Sequence, residues 1–479
     1  MDHWQNTAFH PDPFTGSVSP SFGLPFVGPG TAVDLGLATA KSAGLDNLFE
    51  DSFSGTTATS NSNWPLLRSE KLKLDRSMSM IEPSLVRGLI DGYYFPILHS
   101  LYPVVDRSQV EFHVPQIKHL PLKKQLFVGL TAAIAAAHQG RGDPSMGATA
   151  LSLRTWADDL IPSVLAQQDD DSLQTMILLI FYELIDPRRK LIWYLLGLTC
   201  RMCVRLRWHR EDESVVSSTA EQDLANHLAR YPSPWRRRLF RIVYEWERLV
   251  CVALQRPSIF SHDLVDMSFV SEVSGCTSTS SNTSILRTLH TELALRQKIR
   301  DCSTDACMLD CQFVSFVHEN VPPPSPPGSE GGSVTSDILW LTIYLTTQYT
   351  WVHSSIHEQY KIQWTDKILR AAMSRISALF AAQRGGRIVS IWLSTIEVFT
   401  VGTTILDILL RQRQRRRDAA ATATATAKFT DASLDRQWSQ SLRRASSLLA
   451  GFSELWEGAR VYRDVFDAVS DRVFAELEA

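Results

Sequence analysis

The sequence runs to 479 residues, 44% hydrophobic and 21% charged, with 48 Lys and Arg against 51 Asp and Glu and a formal net charge of -3. That is enough apolar chain for a large core in one or two globular domains, which excludes fibrous, collagenous and wholly disordered classes. The balanced charge excludes a protein drawn as a whole onto nucleic acid or an anionic membrane, so any such binding needs a local patch. Seven cysteines at irregular spacing do not make a disulfide framework and suit a reducing compartment. The opening Met1, Asp2, His3, Trp4 lacks the basic and apolar regions of a secretion signal, so the chain reads as intracellular.

Residues 1–67 hold one Lys (Lys41), no Arg, and six acids (Asp2, Asp12, Asp34, Asp46, Glu50, Asp51) among abundant Ser, Thr, Gly and Pro. This composition predicts a disordered acidic arm over residues 1–75. Within it, GLDNLFEDSFSG sets Leu45, Leu48, Phe49 and Phe53 among Asp46, Glu50 and Asp51. Such alternation stays solvated alone yet can dock in a coactivator groove as an induced helix, which makes these four residues a candidate activation segment.

Helical periodicity begins near residue 81, where Pro83 suits a helix start and Leu85, Leu89, Tyr93 and Ile97 recur at four-residue spacing. LFVGLTAAIAAAH, at 126–138, carries small residues that permit close approach of a second helix. Residues 152–165 form a short amphipathic piece with Trp156. Asp169, Asp170 and Asp171 open the apolar run Leu173–Ile185, where a helix N-terminus favours negative charge, and Asp186 and Pro187 end it. Helices follow over 190–206 and 236–254, and no stretch alternates with period two. The expected fold is all-α. A first helical part spans 76–320, with a Ser/Thr loop at 268–282. A Pro/Gly/Ser linker spans 321–336, and a second helical part spans 337–479 with a basic and Ala/Thr-rich surface insertion at 411–427.

Residues 389–410 are mostly apolar, of bilayer-spanning length, and followed by Arg411, Arg413, Arg415, Arg416 and Arg417. Glu397, Asp407 and six Ser and Thr argue instead for a buried helix of a soluble protein, since each carboxylate at membrane depth costs about 2–3 kcal/mol. The expectation is no membrane partner. The arginine run itself reads as a solvated loop, with nuclear import and phosphate contact as its functional readings.

Candidate chemistry is sparse. Cys200 and Cys203 form a C-x-x-C, but their helical apolar setting favours a core role, and Cys302, Cys307 and Cys311 match no common zinc module. Asp169–Asp171 resembles the start of a diphosphate-binding acidic motif, but Leu173 stands where its last carboxylate belongs. No nucleophile elbow, phosphate loop, dinucleotide fingerprint or H-E-x-x-H is present. No metal, cofactor or enzymatic activity is assigned.

Three ordered blocks carry a resemblance. The first, LIDGYYFPILHSLYPVVDRSQV (89–110), holds Tyr102, Pro103, Val104, Val105, Asp106 and Arg107. The second (172–211) holds Trp193, Gly197, Leu198 and His209. The third (236–260) holds Arg237, Arg238, Phe240, Tyr244, Glu247, Arg248, Arg256 and Pro257. Together they resemble the fungal-specific transcription factor domain, the all-helical middle region of zinc-cluster regulators. LWEGARVYRDVFDAV (455–469) is similar to that family's final helix. The chain departs in having Gln255 for Gly, Glu247 for Asp, and Arg207-Trp208 for Gly-Leu before His209.

The resemblance implies a transcription regulator in a fungal nucleus, acting through a helical regulatory and dimerisation domain on a dedicated gene set such as a secondary-metabolite cluster. Other transcription factors or coactivators, and a second copy of the chain, are the partners it implies. The family's C-x2-C-x6-C cluster would have to lie upstream of Met1, since the first cysteine is Cys200. Zinc is therefore expected only with such a cluster, and DNA contact through this chain is expected to be indirect. A helical interaction scaffold or effector sensor outside transcription is the competing reading.

Overall fold

The computed structural model describes residues 39–41, 43–45, 82–112, 119–141, 143–187, 191–210, 233–254, 258–260, 265, 341, 357–421 and 432–478. The expected linker at 321–336, the Ser/Thr loop at 268–282, Cys302, Cys307, Cys311 and residues 255–257 lie outside them. Among the described residues every regular element is a helix, as the sequence predicts.

Helix α1 is Pro83–Leu89, α2 His99–Leu101, α3 Arg107–Val110, α4 Leu122–Gln139, α5 Pro144–Leu165, α6 Asp170–Ile185, α7 Ile192–Arg205 and α8 Ser233–Leu254. The second half contributes α9 (His357–Arg384), α10 (Ile391–Ala421), α11 (Ala432–Leu455) and α12 (Ala459–Glu478). Two helices organise the rest. Every residue of α6 is buried, its polar Asp170, Asp171, Ser172, Gln174, Thr175 and Glu183 included, and α4, α5, α7, α8 and α10 all touch it. In the second half α10 lies against α9, α11 and α12 and also against α6 and α8, so the two halves share one core.

Residues 391–414 are long and apolar enough to cross a bilayer, yet most of that window is covered by protein. Its polar groups are satisfied locally: Thr395, Thr403 and Thr404 donate to carbonyls one turn back, Asp407 accepts from Arg411 at 2.8 Å, and Glu397 pairs with Arg375. The buried-helix expectation holds. The solvated-loop reading of the arginine run does not, because α10 continues through Ala421 and makes residues 411–421 helical. Ala and Arg are strong helix formers, so the turns that leave the core propagate on residue propensity.

Three other expectations change. Between α1 and α2 the chain is π-helical over Ile90–Leu98, with the His99 amide donating to the Tyr94 carbonyl. Pro96 lies inside this segment and has no amide hydrogen, which leaves a gap in any i to i−4 ladder. Leu89 of the predicted stripe is buried, and so are Val86, Ile90, Tyr94 and Leu98, so the buried face is broader than that stripe, whereas Leu85, Tyr93 and Ile97 are half-buried. The block at 455–469 is split, with α11 ending at Leu455 and α12 starting at Ala459. The arm is not wholly outside the fold: Thr39–Lys41 form a helical turn, Ala40 and Ala43 are buried, and the Ala43 carbonyl accepts from Arg472 Nε at 3.2 Å.

The small residues of α4 do admit a neighbour, since a Cβ on Gly129 would stand 2.2 Å from the Trp156 ring of α5. The halves are also joined by a polar latch. Tyr93 Oη lies 2.8 Å from His138 Nδ1, and His138 Nε2 lies 3.1 Å from the Ile388 carbonyl, next to the start of α10. A carbonyl only accepts, so Nε2 carries the proton and Nδ1 accepts from tyrosine. Arg141 donates to the carbonyls of Ile388 and Val389. Burial, reinforced by the Arg141 charge, lowers the His138 pKa to about 4.

The unfolded chain, with a histidine pKa of about 6.5, then binds a proton that the folded chain refuses between about pH 6.5 and 4, so stability falls with pH across that window by up to about 3 kcal/mol. Urea unfolding at a series of pH values should show this slope, and His138→Gln should flatten it.

Candidate functional site

The three sequence blocks converge on the N-terminal end of α6 and on α8. Asp169 caps α6: its Oδ1 accepts from the Ser172 amide at 3.1 Å, while the Ser172 hydroxyl donates to the Val164 carbonyl at 2.8 Å. Asp170 accepts from Trp208 Nε1 at 3.1 Å and lies 3.6 Å from Arg236 Nε, and Asp171 pairs with Lys123. All three carboxylates are thus committed to the cap, to α4 and to α8. Their placement at a helix N-terminus accounts for their burial beside an apolar helix. Among the described residues no three His, Cys, Asp or Glu side chains converge on a metal-sized point.

The Tyr-Pro turn of the first block reaches α8. Tyr102 Oη donates to Glu245 Oε1 at 2.9 Å, and its ring stacks with Phe181 of α6 and Trp246 of α8 at centroid distances of 5.7 and 5.1 Å. Burial raises the Glu245 pKa, opposed by the tyrosine hydrogen bond and Arg241. Asp106 takes Arg238 Nη2 at 3.1 Å, and Gln174 Nε2 of α6 donates to the Val104 carbonyl at 2.8 Å. The arginines at 236 and 238 are therefore structural ion-pair partners.

The acid-Arg pair of the third block fastens the chain leaving α8. Glu247 Oε1 accepts from Ser258 Oγ at 2.8 Å and the Ile259 amide at 2.7 Å, and Arg248 Nη2 donates to the Phe260 carbonyl at 2.9 Å. Glu247 and Arg248 lie 3.4 Å apart with both side chains almost wholly buried. Cys200, Cys203 and Cys251 are buried free thiols, and burial pushes Cys200 and Cys203 well above the ordinary thiol range. They are neither ionised nor exposed, which suits the core role that their apolar helix predicts.

The second block ends in a Schellman cap. The Trp208 amide donates to the Cys203 carbonyl at 2.9 Å and the Arg207 amide to Val204 at 3.1 Å. This places Arg207 in the left-handed region at φ 59°, the residue standing where the resemblance leads one to expect glycine. Helix α9 ends in the same motif with a glycine, Gly386 at φ 64°, in that position. Arg207 thus carries a backbone cost that glycine would not.

Of the candidate activation residues, Leu45 is half-buried and packs on the core, and Leu48, Phe49 and Phe53 lie outside the described residues. Of the arginine run, Arg411 holds Asp407, Arg413 is half-buried and Arg417 is exposed on the end of α10, where Arg415 and Arg416 also lie. The structure does not bring the two sets together. The Tyr93, His138 and Arg141 latch and the Tyr102–Glu245 bond have no sequence signal, because their partners are about 45 to 250 residues apart.

Residues 92–305 match the family model described as fungal specific transcription factor domain. No curated protein and no solved structure matches the chain.

Replacing Arg207 by Gly should raise stability by about 0.5–1 kcal/mol, and Arg207→Val should lower it. Glu247→Ala leaves Arg248 buried without its carboxylate and should cost about 3–5 kcal/mol. Urea midpoints of the three variants check both statements.

Proposed function

With residues 92–305 a fungal specific transcription factor domain, we propose that this protein acts in a fungal nucleus on a dedicated gene set such as a secondary-metabolite biosynthetic cluster. The family is one of fungal transcription regulators. The match over residues 92–305 carries the reading. The site geometry is consistent with it: the ionisable side chains of the three conserved-order blocks are spent on caps, ion pairs and the fastening of loops, an economy that suits a regulatory body. The helical body serves as a regulatory and dimerisation surface, and the acidic segment at 45–53 meets coactivators. The arginines at 411–417 serve nuclear import.

A fluorescently tagged chain should be nuclear, and Arg413→Gln with Arg416→Gln and Arg417→Gln should shift it to the cytoplasm. Exclusion of the parent chain from the nucleus would overturn the proposal. Fusing residues 1–67 to an unrelated DNA-binding domain should raise reporter output, and Phe49→Ala with Phe53→Ala should lower it. Deleting the gene should change the transcripts of a confined gene set, read by RNA sequencing.

A further inference from the structure

Helix α7 has two unlike faces. Ile192, Leu196, Thr199, Cys200 and Cys203 are buried against α6 and α8. On the opposite side, Leu191, Tyr194 and Leu198 are 39%, 57% and 51% exposed. Spacings of three and four set them in one stripe, and the next two turns carry Arg201 and Arg205, both exposed. Arg205 also holds the Gln168 carbonyl. The helix contains no acidic residue, and Arg207 and Arg210 follow it, also exposed. Single exposed apolar residues are ordinary, but three in line on one helix, continued by arginines, form a surface that calls for a partner.

That partner cannot be the same face of another α7. Antiparallel pairing would set Leu191 against Arg205, and parallel pairing would stack each arginine on its own copy. The complement needs apolar groups on one helical face with carboxylates beside them. This chain contains such a segment: Leu48, Phe49 and Phe53 fall on one side of a helix, flanked by Asp46, Glu50 and Asp51.

In its own chain the segment starts away from the neighbours of α7. Leu45 is packed on the core and Ala43 is tied to Arg472 of α12, which lies against α10 and α11, whereas α7 lies against α6 and α8. Leu48 follows Leu45 by three residues, about 10 Å at full extension.

We propose that the exposed face of α7 docks the acidic segment Asp46–Phe53 of a second copy of this chain. Leu48, Phe49 and Phe53 cover Leu191, Tyr194 and Leu198, and the carboxylates meet Arg201 and Arg205. The inference rests on the functional reading only in taking residues 46–53 as a recognition segment. Reporter output and self-association fail independently, so the two can be told apart.

Sedimentation velocity of the full chain from low to high micromolar concentration is the test. The wild type should self-associate, more weakly in high salt. Leu198→Asp, an exposed position whose variant should melt as the wild type does, should weaken association about tenfold or more, as should Phe49→Ala with Phe53→Ala. Arg201→Glu and Glu50→Arg chains should each associate less well alone and regain association when mixed, an outcome only a contact in trans produces. A wild type monomeric throughout, or a Leu198→Asp chain that associates as the wild type does, overturns the proposal. So does a monomeric chain that nevertheless binds a labelled peptide of residues 44–55, since the face would then serve another protein's acidic helix.

Discussion

Helix α6 is wholly buried, its run Met176–Ile185 almost entirely apolar but for Glu183, and a helix in that position must find partners for the backbone amides and charges at its N-terminus without help from water. The chain meets this constraint with three consecutive aspartates. Asp169 supplies the cap, Asp170 takes the Trp208 indole and Arg236, and Asp171 takes Lys123. Those bonds recruit α4, the turn after α7, and α8, so the electrostatics of one helix end set where three other elements sit. The Tyr102, Phe181 and Trp246 stack then fixes α8 along the side of α6.

The same logic recurs with lower stakes elsewhere. Glu247 and Arg248 are buried side by side, and both reach residues 258–260, Glu247 through the Ser258 hydroxyl and Ile259 amide and Arg248 through the Phe260 carbonyl. A buried pair is weak evidence of net stability, yet losing either member strands the other as an uncompensated buried charge. Between the halves, His138 and Arg141 do comparable work on the carbonyls at 388 and 389. These contacts make residues remote in sequence parts of one body.

The surfaces left over are where function is sought. The apolar and basic face of α7 is exposed, as are Arg411 and Arg417 on the end of α10, and of these arginines Arg205 holds Gln168 and Arg411 holds Asp407. The arm contributes a docked turn at residues 39–45, which fixes where its acidic segment begins.

The sequence by itself determined the all-α class, the buried nature of residues 391–410, the aspartate start and Asp-Pro end of α6, and the close approach permitted at Gly129, because helical period, capping chemistry and side-chain size act over a few residues. It also carried, through the order of its three blocks, the resemblance that the family model matches over residues 92–305. Only the tertiary structure decided that the chain turns π-helical over Ile90–Leu98, where Pro96 interrupts the hydrogen-bond ladder, and that the arginine run is helical. The same holds for Arg207 in a left-handed turn, kept there by the burial of Trp208 and the caps it completes. Tyr93, His138 and Arg141 became a joint for the same reason: which distant carbonyl meets a side chain depends on how two packed halves close, and no local pattern encodes that distance.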